Sequence, residues 1–173
     1  MDSRATSAAT LAVLSVLCLL ALLFGVNALS SDLPDDPIVE TPDATCVDQE
    51  ITAGAKVRPA DVLVSVYNGG TRSGVASKTM STLQIRGFAA GKTGNEKDVK
   101  VRRVQVWGNP SNPAVQLVAA QFGDDVTITA GRTSTDPSTE GVVVVIGDDF
   151  GKLGKKVASV TAEEDTTICS PFK

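Results

Sequence analysis

Residues 8–29 read AATLAVLSVLCLLALLFGVNAL, an apolar run without one charged side chain, and no other feature limits the possible fold more. As a helix it would extend roughly 33 Å at about 1.5 Å per residue, enough to cross a hydrocarbon core of about 30 Å. The 42% hydrophobic fraction of the whole chain therefore overstates what is left to build a core. Arg4 is the only basic residue near the run and the flank beyond it is acidic, so the positive-inside rule puts residues 1–7 in the cytoplasm and everything after Leu29 outside. Val26 and Ala28 also have the spacing for cleavage after Ala28, so a single-pass anchor and a cleaved signal segment both stand at this level. Cys18 reads as a small apolar residue within the helix, because Leu17 occupies the place where lipidation would want a small residue.

Charge is segregated along the exported part. Residues 32–55 carry Asp32, Asp35, Asp36, Glu40, Asp43, Asp48 and Glu50 with no basic partner, interrupted by Pro34, Pro37 and Pro42. Residues 30–60 are accordingly expected to be an acidic tether. Residues 56–157 reverse the balance, with fourteen Lys and Arg against nine Asp and Glu inside a chain of net charge −4. The tail over 158–173 returns to acid at Glu163, Glu164 and Asp165. Such a surplus could hold an anionic polymer or a lipid phosphate, or could serve solubility alone. Nucleic acid is not expected, given the compartment and the absence of a reading motif.

The chain contains no histidine, which excludes Ser-His-Asp and Cys-His catalysis, His-ligated zinc and an imidazole base near neutral pH. Cys46 and Cys169 bracket the folded region, and outside the cytoplasm they would tend to oxidise. A disulfide joining tether to tail is expected, worth about 4 to 5 kcal/mol in the chain-entropy account, with two free or intermolecular thiols as the alternative.

Val62 to Tyr67 is a β-branched run entering Asn68-Gly69-Gly70, the pattern of a strand meeting a tight turn. Ser73 to Arg86 places Ala76, Met80 and Leu83 at helical spacing, with Ser73 or Thr71 available as N-cap and Gly87 as stop. A short extended piece follows from Phe88 to Lys92, then a polar loop and a strand around Val101 to Trp107. Ser111-Asn112-Pro113 opens a second helix with Ala114, Leu117, Val118 and Phe122 in phase and Gly123 at its end. Val126 to Ala130 alternates as a strand, residues 131–140 form a polar loop expected to be mobile, and Gly141 to Ile146 suits a strand buried on both faces. The expected fold over 61–157 is α+β: a small two-layer sandwich, order βαββαββ, with a mixed sheet and two helices on one face, preceded by the N-terminal transmembrane helix.

These residues resemble the LytR C-terminal domain family. The likeness spans about 62–150 and rests on Val64-Ser65-Val66-Tyr67-Asn68-Gly69, then Gly74 and Ala76, Leu83 with Gly87-Phe88, the Val104-Gln105-Val106 strand, and the closing Val143 to Phe150 segment. At Gly70 the sequence departs from the family's frequent Ser or Thr. The resemblance implies a non-enzymatic, extracytoplasmic module of actinobacterial and other Gram-positive envelope proteins, here in its stand-alone form without a LytR-CpsA-Psr phosphotransferase domain. It further implies a part in envelope integrity and cell-wall assembly, with LytR-CpsA-Psr type wall-ligating enzymes or an anionic wall polymer as partners. No cofactor is called for.

Three candidate sites emerge. Asn68-Gly69-Gly70 leads from a strand towards a helix N-terminus, where backbone N–H groups could receive an anion with Arg72 close by, although turn geometry alone explains the glycines. If Val104 and Val106 face the core, Arg103, Gln105 and Trp107 share the other face, where Arg and Trp could stack on a sugar or hold a phosphate, with Lys97, Lys100 and Arg102 widening the patch. The bland alternative has Trp107 closing the edge of the core. Asp148 and Asp149 at a strand exit would suit a hydrolase, but no third acid is placed beside them and a polar strand exit is the simpler reading. Gly91-Lys92-Thr93 lacks the upstream spacing of a P-loop.

Overall fold

The computed structural model describes residues 15, 16, 18, 46–97 and 99–172. The chain divides into two units, Met1–Thr41 and Pro42–Lys173. In the first, Ser15, Val16 and Cys18 are helical. The rest of the expected membrane segment and residues 1–7, expected to be cytoplasmic, lie outside the described residues, among which no helix is long and apolar enough to cross a membrane.

The described residues of the second unit form nine strands and two α-helices. We label the strands β1 (Cys46–Ile51), β2 (Lys56–Val57), β3 (Leu63–Asn68), β4 (Ala89–Asn95), β5 (Val104–Trp107), β6 (Val126–Thr129), β7 (Val142–Ile146), β8 (Val160–Thr161) and β9 (Thr166–Pro171), and the helices α1 (Val75–Ile85) and α2 (Pro113–Ala120). From β3 to β7 the order is βαββαββ, as read from the sequence. Five strands form one sheet in the order β4-β3-β7-β5-β6. β3 is parallel to β4 and β7, β5 is parallel to β6, and β5 is antiparallel to β7. The sheet is therefore two βαβ units, β3-α1-β4 and β5-α2-β6, set head to tail on either side of β7. Two crossovers of the same hand that step outwards from antiparallel strands must leave their helices on the same face. That geometry delivers the two-layer sandwich.

Packing follows the pleat. Val64, Val66, Val104, Val106, Val142, Val144 and Ile146 share one core with Met80 and Leu83 of α1 and Leu117 and Val118 of α2. The opposite phase places Tyr67, Trp107, Val143 and Val145 in a second, smaller cluster with Val101. β7 is buried along its whole length because it has a strand on each side and a covered face above and below.

Both helices are bounded by local chemistry. α2 starts where Asn112 accepts a hydrogen bond from Ala114 N–H at 2.9 Å, with Pro113 in the first turn. α1 ends in a Schellman arrangement: Gly87 N–H donates to Gln84 O at 2.8 Å and Phe88 N–H to Leu83 O at 3.1 Å, with Gly87 at φ +102°. The start of α1 differs from expectation. Gly74 is its N-cap and no side chain caps it, so neither Ser73 nor Thr71 has that role.

The folded unit extends past both expected boundaries. β1 pairs antiparallel with β9, and β2 with β8, so residues 46–57 are strand and turn rather than tether and residues 160–171 are not a loose tail. Ile51, Val57, Ala162 and Ile168 join the main core. Cys46 and Cys169 form the expected disulfide, with Cα atoms 5.1 Å apart across 123 residues of chain. The loop over 131–140, expected to be mobile, is fastened down. Glu96, 3% exposed, accepts from Ser134 Oγ and Thr135 Oγ1 at 3.0 and 2.7 Å, and Tyr67 bonds Thr139. This loop roofs the second cluster.

Candidate functional site

The turn after β3 brings Asn68, Gly69 and Arg72 together through their own hydrogen bonds. Asn68 Nδ2 donates to Arg72 O at 2.8 Å, and Asn68 Oδ1 accepts from Gly70 N–H at 3.0 Å. The backbone N–H groups of Thr71 and Arg72 do face an anion, and it belongs to the protein. Asp148 Oδ1 accepts from them at 2.8 and 3.1 Å, and Thr71 Oγ1 donates to Asp148 Oδ2 at 3.1 Å. These N–H donors, Thr71 first and then Arg72, hold the Asp148 carboxyl below the ordinary aspartate range, while partial desolvation opposes them. A Cβ at Gly70 would lie 2.4 Å from Asp148 Oδ1, so the glycine leaves room for the carboxylate. The external anion site expected at Asn68, Gly69 and Arg72 is thus already filled by Asp148.

Asp148 and Asp149 face different partners. Asp149 makes an exposed ion pair with Arg102 at 3.3 Å. The two carboxylates do not converge on one reacting position, and a carboxyl held ionised by backbone donors has no proton to give near neutral pH.

The second expected patch is also divided. Trp107 is 3% exposed, its Nε1–H donates to Gln105 Oε1 at 3.1 Å, and the Arg132 guanidinium lies 5.5 Å from the ring centroid. Its ring is closed to a sugar, so the expected stacking surface with Arg103 does not form. The outward phase of β5 is real, but Val99 and Val101 pack against it and Arg132 lies over the Trp107 ring. Arg103 stays exposed beside Lys100 and Arg102 in a shallow cleft of about 430 Å³ that also contains Asp124.

A different concavity gathers charge of one sign. Between α1 and the segment 150–153 runs a groove of about 440 Å³, lined by Arg72, Lys78, Arg86 and Lys152, with Val75, Phe150 and Leu153 as its apolar part. No Asp or Glu lines it. Arg72 Nη1 donates to Asp148 O and Phe150 O at 2.9 and 3.0 Å, which ties the start of α1 to the chain beyond β7. Arg86 Nη1 donates to Gln121 Oε1 at 2.9 Å and Arg86 Nη2 to Gly154 O at 2.6 Å. Gln121, fully buried, completes this junction by donating from Nε2 to Leu117 O and Val157 O at 3.1 and 3.0 Å. Desolvation lowers the Arg86 pKa from the usual guanidinium value. Sequence reasoning missed Lys78, Arg86, Gln121 and Lys152. A usable signal existed: residues 72–86 hold three basic and no acidic side chains. Among the described residues no cluster of Cys, Asp and Glu is arranged to hold a metal ion.

Fold and site together define a disulfide-closed α+β module, two βαβ units sharing one sheet, with a basic groove beside α1. The chain belongs to the LytR C-terminal family: the family model described as LytR cell envelope-related transcriptional attenuator matches residues 61–150, more than half of its length. An envelope-associated role follows at that level. No curated protein matches the chain. Among solved structures it is similar to the soluble domain of a conserved hypothetical secreted protein from Mycobacterium marinum, at 20% identity and TM-score 0.47, covering 61% of this chain and 70% of that one.

Proposed function

We propose that this protein is a non-catalytic, extracytoplasmic envelope protein that supports cell-wall assembly and envelope integrity by docking onto wall-polymer ligating enzymes of the LytR-CpsA-Psr type. Family membership over residues 61–150 is the observation that carries the reading. The Cys46–Cys169 disulfide supports an oxidising compartment. The charge asymmetry about residues 8–29 supports a cytoplasmic N-terminus and either a single-pass anchor or release after Ala28. Occupation of Asp148 by backbone donors supports a binding role over hydrolysis. In-cell crosslinking followed by identification of the attached proteins tests the docking. Wall-ligating enzymes should be recovered with the full chain and lost from a chain truncated after residue 45; equal recovery with both would reject a docking role for the folded unit.

A second reading, direct binding of an anionic wall polymer, is favoured by one specific observation, the acid-free basic groove beside α1. Co-sedimentation with purified walls that fades as salt rises would support it, because exposed charges are screened beyond about 10 Å at 0.1 M salt. Co-sedimentation unaffected by salt would count against it.

A further inference from the structure

We propose that the groove between α1 and the 150–153 segment binds a phosphate-ester polymer, with Arg72, Lys78, Arg86 and Lys152 as its cations and Phe150 and Leu153 as its apolar floor. This rests on the polymer-binding reading above and assigns it a place and a chemistry. The argument starts from how the two arginines are held. Every guanidinium hydrogen bond that fixes Arg72 and Arg86 across the groove ends on a neutral oxygen, the carbonyls of Asp148, Phe150, Gln121, Lys155 and Gly154 or the amide of Gln121. Their positions are set by neutral oxygens and not by an ion pair, although the Asp148 carboxylate attracts the Arg72 charge. Desolvation disfavours the charged form of Arg86, yet a guanidinium stays protonated in proteins. Lys78 and Lys152 add exposed ammonium groups to the same recess, and no acidic residue lines it.

The arrangement selects among anions. Lys78 and Arg86 are eight residues apart on or beside α1, about 12 Å along the axis at 1.5 Å per residue, which is more than one phosphate group bridges. Repeated anionic groups separated by short uncharged spacers fit that span, and the apolar floor suits a polyol or sugar spacer. The side-chain hydrogen bonds of Arg72 use Nη1 alone, so its Nε–Nη2 edge can match two oxygens of a phosphate ester. The Nη groups of Arg86 are given to carbonyl and amide oxygens, and that residue contributes charge. A bilayer fits less well. The exposed large apolar side chains among the described residues are Val16, Val47, Ile85 and Phe172, and none lines the groove, whose cations sit in a concavity. The competing cleft around Lys100 contains Asp124, and its Arg102 is already paired with Asp149.

The test uses the full chain in a neutral detergent and a fluorescent poly(glycerol phosphate) oligomer, read by anisotropy. Wild type should bind, with affinity falling as salt rises. The double substitution Lys78→Glu with Lys152→Glu should weaken binding at least about tenfold, whereas Lys100→Glu with Arg102→Glu, an equal change of charge, should alter it by less than about twofold. All four side chains are exposed, so thermal melts should show both variants folded. Equal weakening by the two pairs, or a larger loss from the Lys100 pair, would overturn the groove while leaving polymer binding intact. No binding by wild type would overturn the polymer reading itself. Equal affinity for polyglutamate, or preference for phosphatidylglycerol vesicles at matched phosphate, would overturn the assigned ligand chemistry.

Discussion

At the scale of single residues, two groups carry most of the local order around α1. Asp148 binds the turn that starts the helix, and its lowered pKa fixes the sign of a pH effect. Because the folded-state value lies below the unfolded one, the stabilisation is present above the ordinary aspartate range and disappears as pH falls through the folded value. Asp148→Asn should therefore lower the melting temperature at pH 7 and narrow its gap from wild type in strong acid; a constant gap down to that pH would contradict the assignment. Gln121 is the second group. Its replacement by Leu removes the acceptor for Arg86 Nη1 and the donor to Val157 O in a buried setting, and should cost about 2 to 3 kcal/mol in urea unfolding. Asp149 offers the contrast. Its ion pair is exposed, so Asp149→Asn should leave both stability and envelope function unchanged within error, and a lost phenotype would reopen the hydrolase reading. Gln121 could not be read from the sequence, because nothing in a helix-terminal glutamine shows that two other segments will converge on it.

At the scale of elements, six of the seven from β3 to β7 were legible from local signatures, while β4 was legible only as far as Lys92 because Thr93, Gly94 and Asn95 have the composition of a loop. Alternation marks β5, continuous β-branched residues mark β3 and β7, and Asn112-Pro113 and Gly87 punctuate the helices. β1 and β9 were hidden for a physical reason. Only Ile51 of β1 is buried, so that strand shows no period of two, and its acidic residues read as solvated chain. Their order comes from each other and from the Cys46–Cys169 bond. Reducing that bond should cost up to about 4 to 5 kcal/mol of global stability on the chain-entropy account, with hydrogen-exchange protection in β1 and β9 lost first. Retained protection there after reduction would show that core contacts by Ile51 and Ile168 suffice. The 131–140 loop makes a similar point. Its polar composition says nothing about the buried Glu96 that fastens it, and Glu96→Gln should speed proteolysis within the loop without unfolding the sheet.

At the scale of the whole molecule, the folded unit is held by a central five-stranded sheet and closed by a peripheral pair of strands with one covalent bond. Part of the site was legible: an acid-free, basic stretch over residues 72–86 and another at Lys152, Lys155 and Lys156 stand in the sequence. That Lys152 faces the first stretch across one groove was not, since about 65 residues separate them and only the path of the sheet brings them together. The account depends on this unit reaching an oxidising compartment beyond the membrane. The most direct measurement is the mass of the full chain taken from cells into a thiol-alkylating reagent under non-reducing, denaturing conditions. Cys46 and Cys169 should remain unlabelled until reductant is added, showing a bond made in the cell; immediate labelling of both would place the unit in a reducing compartment and contradict the account.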